Sequence, residues 1–563
     1  MEWLSSMLER YPELAVFLAL GIGYAVGGFR LRGFSLGGVT GSLLAGMLLG
    51  WLFEVPVGAT AKSLVFLLFM FGIGYEVGPR FLSAMKGEGW RFAALGACMP
   101  VVGLVVAVIV AKLLGLDPGL SAGMMSGALT ESPAMGTAAE AIRTLPLDAA
   151  TKELYVAHVG VADALCYLMG ALGVILTCTL IGPKLLRIDL AAHALEVEAR
   201  YGIKRQRQGI HGAWQPFETR AYRVPADARM AGLTVEAAER LIEGVRLFVH
   251  GIRRDGKLFD VQGDTTILAG DLVAIAGRRE VLVDVLGSGG DEVDDAGLLD
   301  IPIASHEVFV SKARWVGRTL GEIADDHDFD AVFLRRIQRG GQEIPIGTQT
   351  TVERGDVLLL VGPERRVERA ADTLGQIIRP TDATDFVVVG FAIFLGALFG
   401  VVASVTIAGI RIGLGTSIGV LLAGLAVGHL RGRRPLFGRV PDAAVKLMQS
   451  FGLAAFVAMV GLGAGPHFLA ALRESGVGLF FGGAVVTFAP LLFGLWFGRK
   501  VLNIDPLLLL GAISGAQTFT AGLAAVQEKS GSPVAVIGYS GAVAVSHVLL
   551  TTWGTVMVLV MRW

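Results

Sequence analysis

Charge is scarce in this sequence: only 17% of its 563 residues are Asp, Glu, Lys or Arg, and the formal net charge is −1. With a mean hydropathy of +0.63 the chain is not solvated along most of its length, and without a basic excess it has no electrostatic footprint for nucleic acid. Cysteine is nearly absent. Cys98, Cys166 and Cys178 lie in apolar runs without ligand spacing, so neither a disulfide framework nor a zinc site is implied, and no other metal or cofactor is expected. No Walker A loop occurs, which excludes direct ATP drive by this chain, and the missing TVGYG filter counts against a potassium channel. No catalytic motif is found and an enzyme is not expected. The N-terminus lacks both the basic region and the small-residue cleavage site of a signal peptide. Leu14 to Phe29, followed by Arg30 and Arg32, therefore reads as a retained first span.

What the chain does have is apolar length. Hydrophobic residues make up 53%, and runs such as Val101 to Leu114, Asp385 to Ala403 and Val534 to Val560 approach the ~20 residues that cross ~30 Å of hydrocarbon. The runs are continuously apolar, not alternating, which disfavours a β-barrel. The 77 glycines suit helices that approach closely in lipid.

The apolar segments fall into two blocks, Leu14 to Leu180 and Asp385 to Val560, with six segments in each. The blocks are copies. LGGVTGSLLAGMLLG from Leu36 matches LGTSIGVLLAGLAVG from Leu414, Gly78-Pro79 matches Gly465-Pro466, Asp117-Pro118 matches Asp505-Pro506, and Gly127-Ala128-Leu129-Thr130 matches Gly515-Ala516-Gln517-Thr518. Basic residues crowd connections one-two and three-four of the first block (Arg30, Arg32, Arg80, Lys86, Arg91). In the second they crowd two-three and four-five (Arg431, Arg433, Arg434, Arg439, Lys446, Arg499, Lys500). Basic loops mark the cytoplasm, so equivalent loops face opposite sides.

An inverted repeat around a cytoplasmic middle domain needs an odd number of crossings per half. The Gly/Ser/Thr-interrupted fifth segments, Gly119 to Gly136 and Leu507 to Ala524, are the ones predicted not to cross as plain helices. The expected fold is thus a polytopic α-helical membrane protein, an inverted repeat of about five spanning helices plus one broken or re-entrant segment per half, with an inserted soluble α+β tandem domain and both termini outside. The expected units are 1–183, 204–288, 296–380 and 384–563, with the linker Gly287 to Asp295 between the middle two. In those two, Gly232, Thr234, Arg254, Gly256, Gly270 and Asp271 recur as Gly317, Thr319, Arg339, Gly341, Gly355 and Asp356.

Broken segments free backbone amides at half-helix starts, which suit a carboxylate. Hydroxyls of Thr130, Ser132, Thr518 and Thr520 and the Gln517 amide would complete the shell. Gly127 and Gly515 would allow close approach, Ala128 stands at the break, and Pro133 would open the following half-helix. For comparison, such hydroxyls in helices often do no more than bond a carbonyl one turn back. Ionisable residues inside apolar runs tend to face cavities or partners. His158, Asp163 and His547 stand out, and Asp163 and His547 both precede a glycine (Gly170, Gly554) at the same spacing, so they are read as equivalent and able to pair or to couple a proton. Glu76 and Glu131, near segment ends, are read at the water boundary, with a contribution to coupling as the alternative for either. Arg411 would snorkel or meet an anion at the outer face.

GALTESPAMGTAAEA and GAISGAQTFTAGLAAV, in duplicated membrane halves around two central units, closely resemble the aspartate:alanine exchanger family of bacterial secondary transporters. The central GxT, IxRxG and GD pattern resembles the TrkA-C domain. The resemblance implies antiport of acidic amino acids or dicarboxylates (aspartate, alanine, succinate) by alternating access in the bacterial inner membrane, a homodimer, and a regulatory ligand on the central domains. A dicarboxylate exporter of the same family, a cation transporter or channel gated by the central domain, and a membrane-bound sensor are the alternatives.

Overall fold

A computed structural model describes the chain from residue 2 to 562, apart from 30–36, 54, 82–88, 204–217, 242–246, 260, 278–291, 330, 340–341, 379–382, 408–409 and 432–436. Arg30, Arg32, Lys86, Arg433, Arg434, Gly341 and most of the 287–295 linker lie outside those residues. After a short helix, Glu2–Arg10, the first half comprises α1 (Pro12–Gly27), α2 (Gly38–Phe53), α3 (Ala59–Phe81), α4 (Trp90–Leu114), α5 (Pro118–Ala128), α6 (Pro133–Thr144) and α7 (Ala149–Leu176). A connecting helix, α8 (Leu190–Tyr201), leads to the central domain. The second half comprises α9 (Phe386–Val402), α10 (Thr416–Arg431), α11 (Asp442–Ala464), α12 (Phe468–Trp496), α13 (Pro506–Ala516), α14 (Thr520–Ser530) and α15 (Ala535–Met561). By length and apolar composition α3, α4, α7 and α15 suffice to cross a bilayer, as do the helices within Asp442–Val501.

The two halves interlock through glycine. A Cβ on Gly46 or Gly50 of α2 would stand 2.4 or 2.0 Å from the carbonyl oxygens of Ala458 or Leu462 on α11. The mirrored crossing holds as well: a Cβ on Gly74 or Gly78 of α3 would stand 2.3 or 2.5 Å from the carbonyl oxygens of Leu421 or Leu425 on α10. Segment two of each half thus packs on segment three of the other, with backbones so close that only glycine fits.

The same contacts fix the path of the fifth segments. Gly119, Gly123 and Gly127 of α5 abut the carbonyls of Tyr155, Val159 and Asp163 in turn, so α5 and α7 run parallel. Two parallel helices separated by α6 require α6 to turn back, which makes α5–α6 a re-entrant hairpin. Gly511 against Ala535 and Gly515 against Tyr539 give the same result for α13–α14. Each half therefore has five crossings and one hairpin, the halves are inverted, and the hairpins enter from opposite faces.

The central domain holds two five-stranded antiparallel sheets. The first, in order β3-β2-β4-β1-β5, comprises β1 (Glu218–Arg223), β2 (Phe248–Arg254), β3 (Lys257–Phe259), β4 (Leu272–Gly277) and β5 (Glu292–Val293). The second, in order β10-β6-β9-β7-β8, comprises β6 (Ile303–Val310), β7 (Phe333–Arg339), β8 (Gln342–Ile344), β9 (Val357–Pro363) and β10 (Gly375–Ile378). The repeated motif has a physical reading. Thr234 and Thr319 N-cap a short helix, Arg254 and Arg339 clamp Asp271 and Asp356 bidentately, and Gly270 and Gly355 take φ near +90° at the turn before that aspartate. A further pair of strands, β11 (Ser404–Ile407) and β12 (Ile410–Gly413), follows α9; Arg411 lies on β12, and its side chain is outside the described residues.

The second sheet docks on the membrane domain. Gln349 N–H donates to Tyr201 O at the end of α8 (3.2 Å), and Arg431 of α10 lies over the rings of Tyr75 and Phe309.

Candidate functional site

Each hairpin begins with the same cap. Asp117 accepts from Gly119 and Leu120 N–H and Asp505 from Leu507 N–H, with Pro118 and Pro506 at the first helical position, where a missing N–H does no harm. Each first half-helix ends in a Schellman turn: Glu131 N–H bonds Ser126 O and Thr130 N–H bonds Gly127 O, as Phe519 N–H bonds Ser514 O and Thr518 N–H bonds Gly515 O. The left-handed residue of such a turn is usually glycine. Here it is threonine in both, with φ +57° at Thr130 and +51° at Thr518.

The hydroxyls of these threonines tie the hairpin tips together. Thr130 Oγ1 donates to Gln517 O at 2.6 Å, and Thr518 Oγ1 donates to Glu131 Oε2 at 2.7 Å. Thr551 of α15 donates to Glu131 Oε1 at 2.8 Å, and His547 Nε2 stands 3.3 Å from the same oxygen. Glu131 is 1% exposed. The water-boundary reading of this residue is therefore wrong: the break in the hairpin carries it inward to the point where the two tips cross. Glu76 is half-buried and accepts from Gln449 Nε2 at 2.6 Å.

Asp163 is also buried, taking Ser126 Oγ at 2.5 Å and Ser132 Oγ at 3.4 Å. It does not pair with His547, nor are the two equivalent. Gly127 faces Asp163 while Gly515 faces Tyr539, so the counterpart of Asp163 is Tyr539. Likewise Gly170 packs on Gly127 O, where Ser546 donates to Gly515 O at 2.9 Å. Asp163 lies mid-helix in α7 and Tyr539 in the second turn of α15, so the two last helices are out of register with an alignment drawn on their glycines.

Of the remaining sequence-predicted residues, Gly127 and Gly515 do allow close approach, but of helix to helix. Ala128 O accepts from Thr487 Oγ1 at 2.9 Å, and Pro133 opens α6. Gln517 is buried, and its side-chain Oε1 has no hydrogen-bond partner. Thr520 opens α14 but is exposed and joins none of these contacts. His158 sits away from the tips and holds the Asp117 cap, Nδ1 to Oδ2 2.7 Å. Asp505 is held instead by His193 (3.1 Å) and Arg200 of α8. Among the described residues no group of three or more potential metal ligands occurs. The tips thus present a buried carboxylate, a histidine, an unpartnered amide oxygen and two hydroxyls. That set can hold an ammonium group or a proton as well as a carboxylate. Sequence reasoning did not single out Thr551, and it named Glu131 but placed it at the water boundary and outside the binding shell.

A family model described as a predicted permease membrane region matches residues 15–183 and 388–559, and one for the TrkA-C domain matches 220–285 and 306–375. An uncharacterized transporter of Bradyrhizobium diazoefficiens is 47% identical over 91% of this chain and 99% of its own length. Uncharacterized transporters of Bordetella bronchiseptica (39% identical; 99% of this chain, 98% of the relative) and Shewanella oneidensis (37%; 100% of each) are similar over essentially their whole lengths.

Proposed function

Since this chain belongs to the permease family of that membrane-region model, the aspartate:alanine exchanger family of the resemblance, we propose that it is a secondary antiporter of small amino-acid carboxylates. The observation that carries the reading is the junction of Thr130, Thr518 and the buried Glu131 at the tips of two oppositely inserted hairpins. A site built this way belongs to neither face. Movement of one half against the other opens it first along one hairpin and then along the other, which is alternating access in an inverted repeat.

The residues at the tips favour a zwitterion over a plain dicarboxylate. Glu131 offers a carboxylate for an α-ammonium group, and the Gln517 oxygen lacks the donor such a group supplies. The hydroxyls and half-helix starts are suited to the substrate carboxylate. Aspartate against alanine is the exchange we assign, across a bacterial inner membrane with the central domain on the cytoplasmic face. Counterflow in proteoliposomes with labelled aspartate, alanine and succinate tests it. We expect exchange of the amino acids and its loss in Thr130→Val/Thr518→Val; unchanged uptake by that variant removes the site assignment.

A further inference from the structure

On the membrane face opposite the central domain, the start of α3, the end of α6 and the start of α10 enclose a cavity of about 60 Å³. Lys62 and Arg143 line it, with Ser63, Thr416, Ser417 and the Phe66 ring. Lys62 is only 7% exposed, so it does not reach out to water as a long cationic side chain at a helix end ordinarily does. Neither its ammonium nor the Arg143 guanidinium makes a hydrogen bond or ion pair among the described residues. The nearby carboxylates do not answer the two cations. Glu140 is engaged in capping α10, accepting from Thr416 N–H, Thr416 Oγ1 (2.6 Å) and Ser417 N–H (3.2 Å). Glu153 acts on Lys62 only at a distance, against the opposing field of Arg143.

An ammonium on a largely buried side chain that faces a small cavity beside a second, half-buried cation is unfavourable unless an anion joins it. The cavity is also lined by α6, the helix that starts at the hairpin tip. Gly136, which lines it, is one helical turn from Ser132 along α6, and a Cβ there would run into the Phe66 ring at 2.1 Å. Phe66 is itself held by Phe456, ring centroids 4.5 Å apart.

We propose that Lys62 and Arg143 form a vestibular anion site that takes a carboxylate group of the substrate before it passes Phe66 to the hairpin tips. The site rests on the transport reading for its role and on Lys62 for its existence, and the two can fail separately. The Ser417 hydroxyl, unlike that of Thr416, which is donated to Glu140, gives the carboxylate a further donor, and the cavity has room for that group but not for a whole dicarboxylate.

The test is calorimetric titration of the purified full chain in detergent with sodium succinate, for the wild type, Lys62→Gln, Lys62→Arg and Thr130→Val/Thr518→Val. We expect Lys62→Gln to weaken binding at least tenfold, Lys62→Arg to restore it to within threefold, and the double threonine variant to retain it. Lys62→Gln should fold, since it removes a buried charge, and thermal unfolding monitored alongside should show equal or greater stability. Succinate affinity in Lys62→Gln equal to wild type, no binding by the wild type, or loss of binding in the threonine variant alone overturns the vestibule. Proteoliposomes that fail to exchange any carboxylate while succinate binding still depends on Lys62 overturn the transport reading and leave the vestibule standing.

Discussion

Threonine is a poor residue for left-handed backbone, where its Cβ crowds the carbonyl at about 1–2 kcal/mol, yet both hairpin tips place one there. Glycine would serve the turn better but would lose the packed methyl along with the hydroxyl, whose bond contributes about 0.5–1.5 kcal/mol. The two effects nearly cancel, so Thr130→Gly and Thr518→Gly should unfold within a few degrees of wild type while exchange falls at least tenfold; a glycine variant that still exchanges would show that the hydroxyls have no part in it. Glu131→Gln keeps the size and one accepting oxygen, so that one of the two threonine hydroxyls must turn to accept from the amide N–H, and it removes the negative charge; we expect aspartate and alanine exchange to collapse with succinate transport least affected, read by competition between the three. Thr130 and Thr518 were legible because the repeat aligned them. Glu131 was not, because its counterpart in the second hairpin is Phe519, so the repeat gives no support for a polar residue there, and hydropathy along the chain cannot show that a break turns the next residue inward.

At the scale of elements, the broken segments could be read directly from their clustered Gly, Ser and Thr, and their odd-crossing consequence followed from loop charge. The register of the last helices could not, because α7 and α15 differ in where they start relative to the residue that faces the hairpin glycine, and sequence alignment of two apolar helices has few polar marks to correct it. The caps differ in a way that has consequences. Asp117 is held within its own half by His158, whereas Asp505 is held by His193 and Arg200 of α8, the helix that ends on the second central sheet. Load on the central domain therefore reaches the α13 cap directly, and the α5 cap only through intervening helices. Arg200→Ala with His193→Ala should speed amide hydrogen exchange in 506–516 by severalfold and leave 118–128 unchanged. Equal change in both hairpins would mean that α8 holds nothing in particular.

The two central units repeat one design at unequal burial, and this decides how the whole molecule responds to damage. In the first unit Arg254 is 30% exposed, and its clamp on Asp271 is open to solvent on one side. Burial pushes the Asp271 carboxyl up, but bonds from Arg254 and Leu268 N–H outweigh it and hold the group below its ordinary value. A depressed carboxylate stabilises the fold above its unfolded value and loses that contribution as pH falls through the depressed one, so the first unit should weaken only under acid conditions. In the second unit Arg339 is 3% exposed, Asp356 is 0% exposed, and Glu353 and Thr351 O complete the cage. Taking Arg339 away strands Asp356 in the interior, a loss of about 3–5 kcal/mol for a broken buried pair; Asp271 is also only 2% exposed, but its arginine is partly open to solvent, so the loss in the first unit is smaller. This same unit carries Gln349, which holds the end of α8, and Phe309, which meets Arg431 of α10. Arg339→Met should accordingly lower the thermal midpoint of the purified chain well below that of Arg254→Met, and should slow exchange as well, because the unit it loosens is the one joined to the second hairpin. If the two variants lose stability equally, or if Arg339→Met leaves transport untouched, the membrane halves work independently of the domain between them.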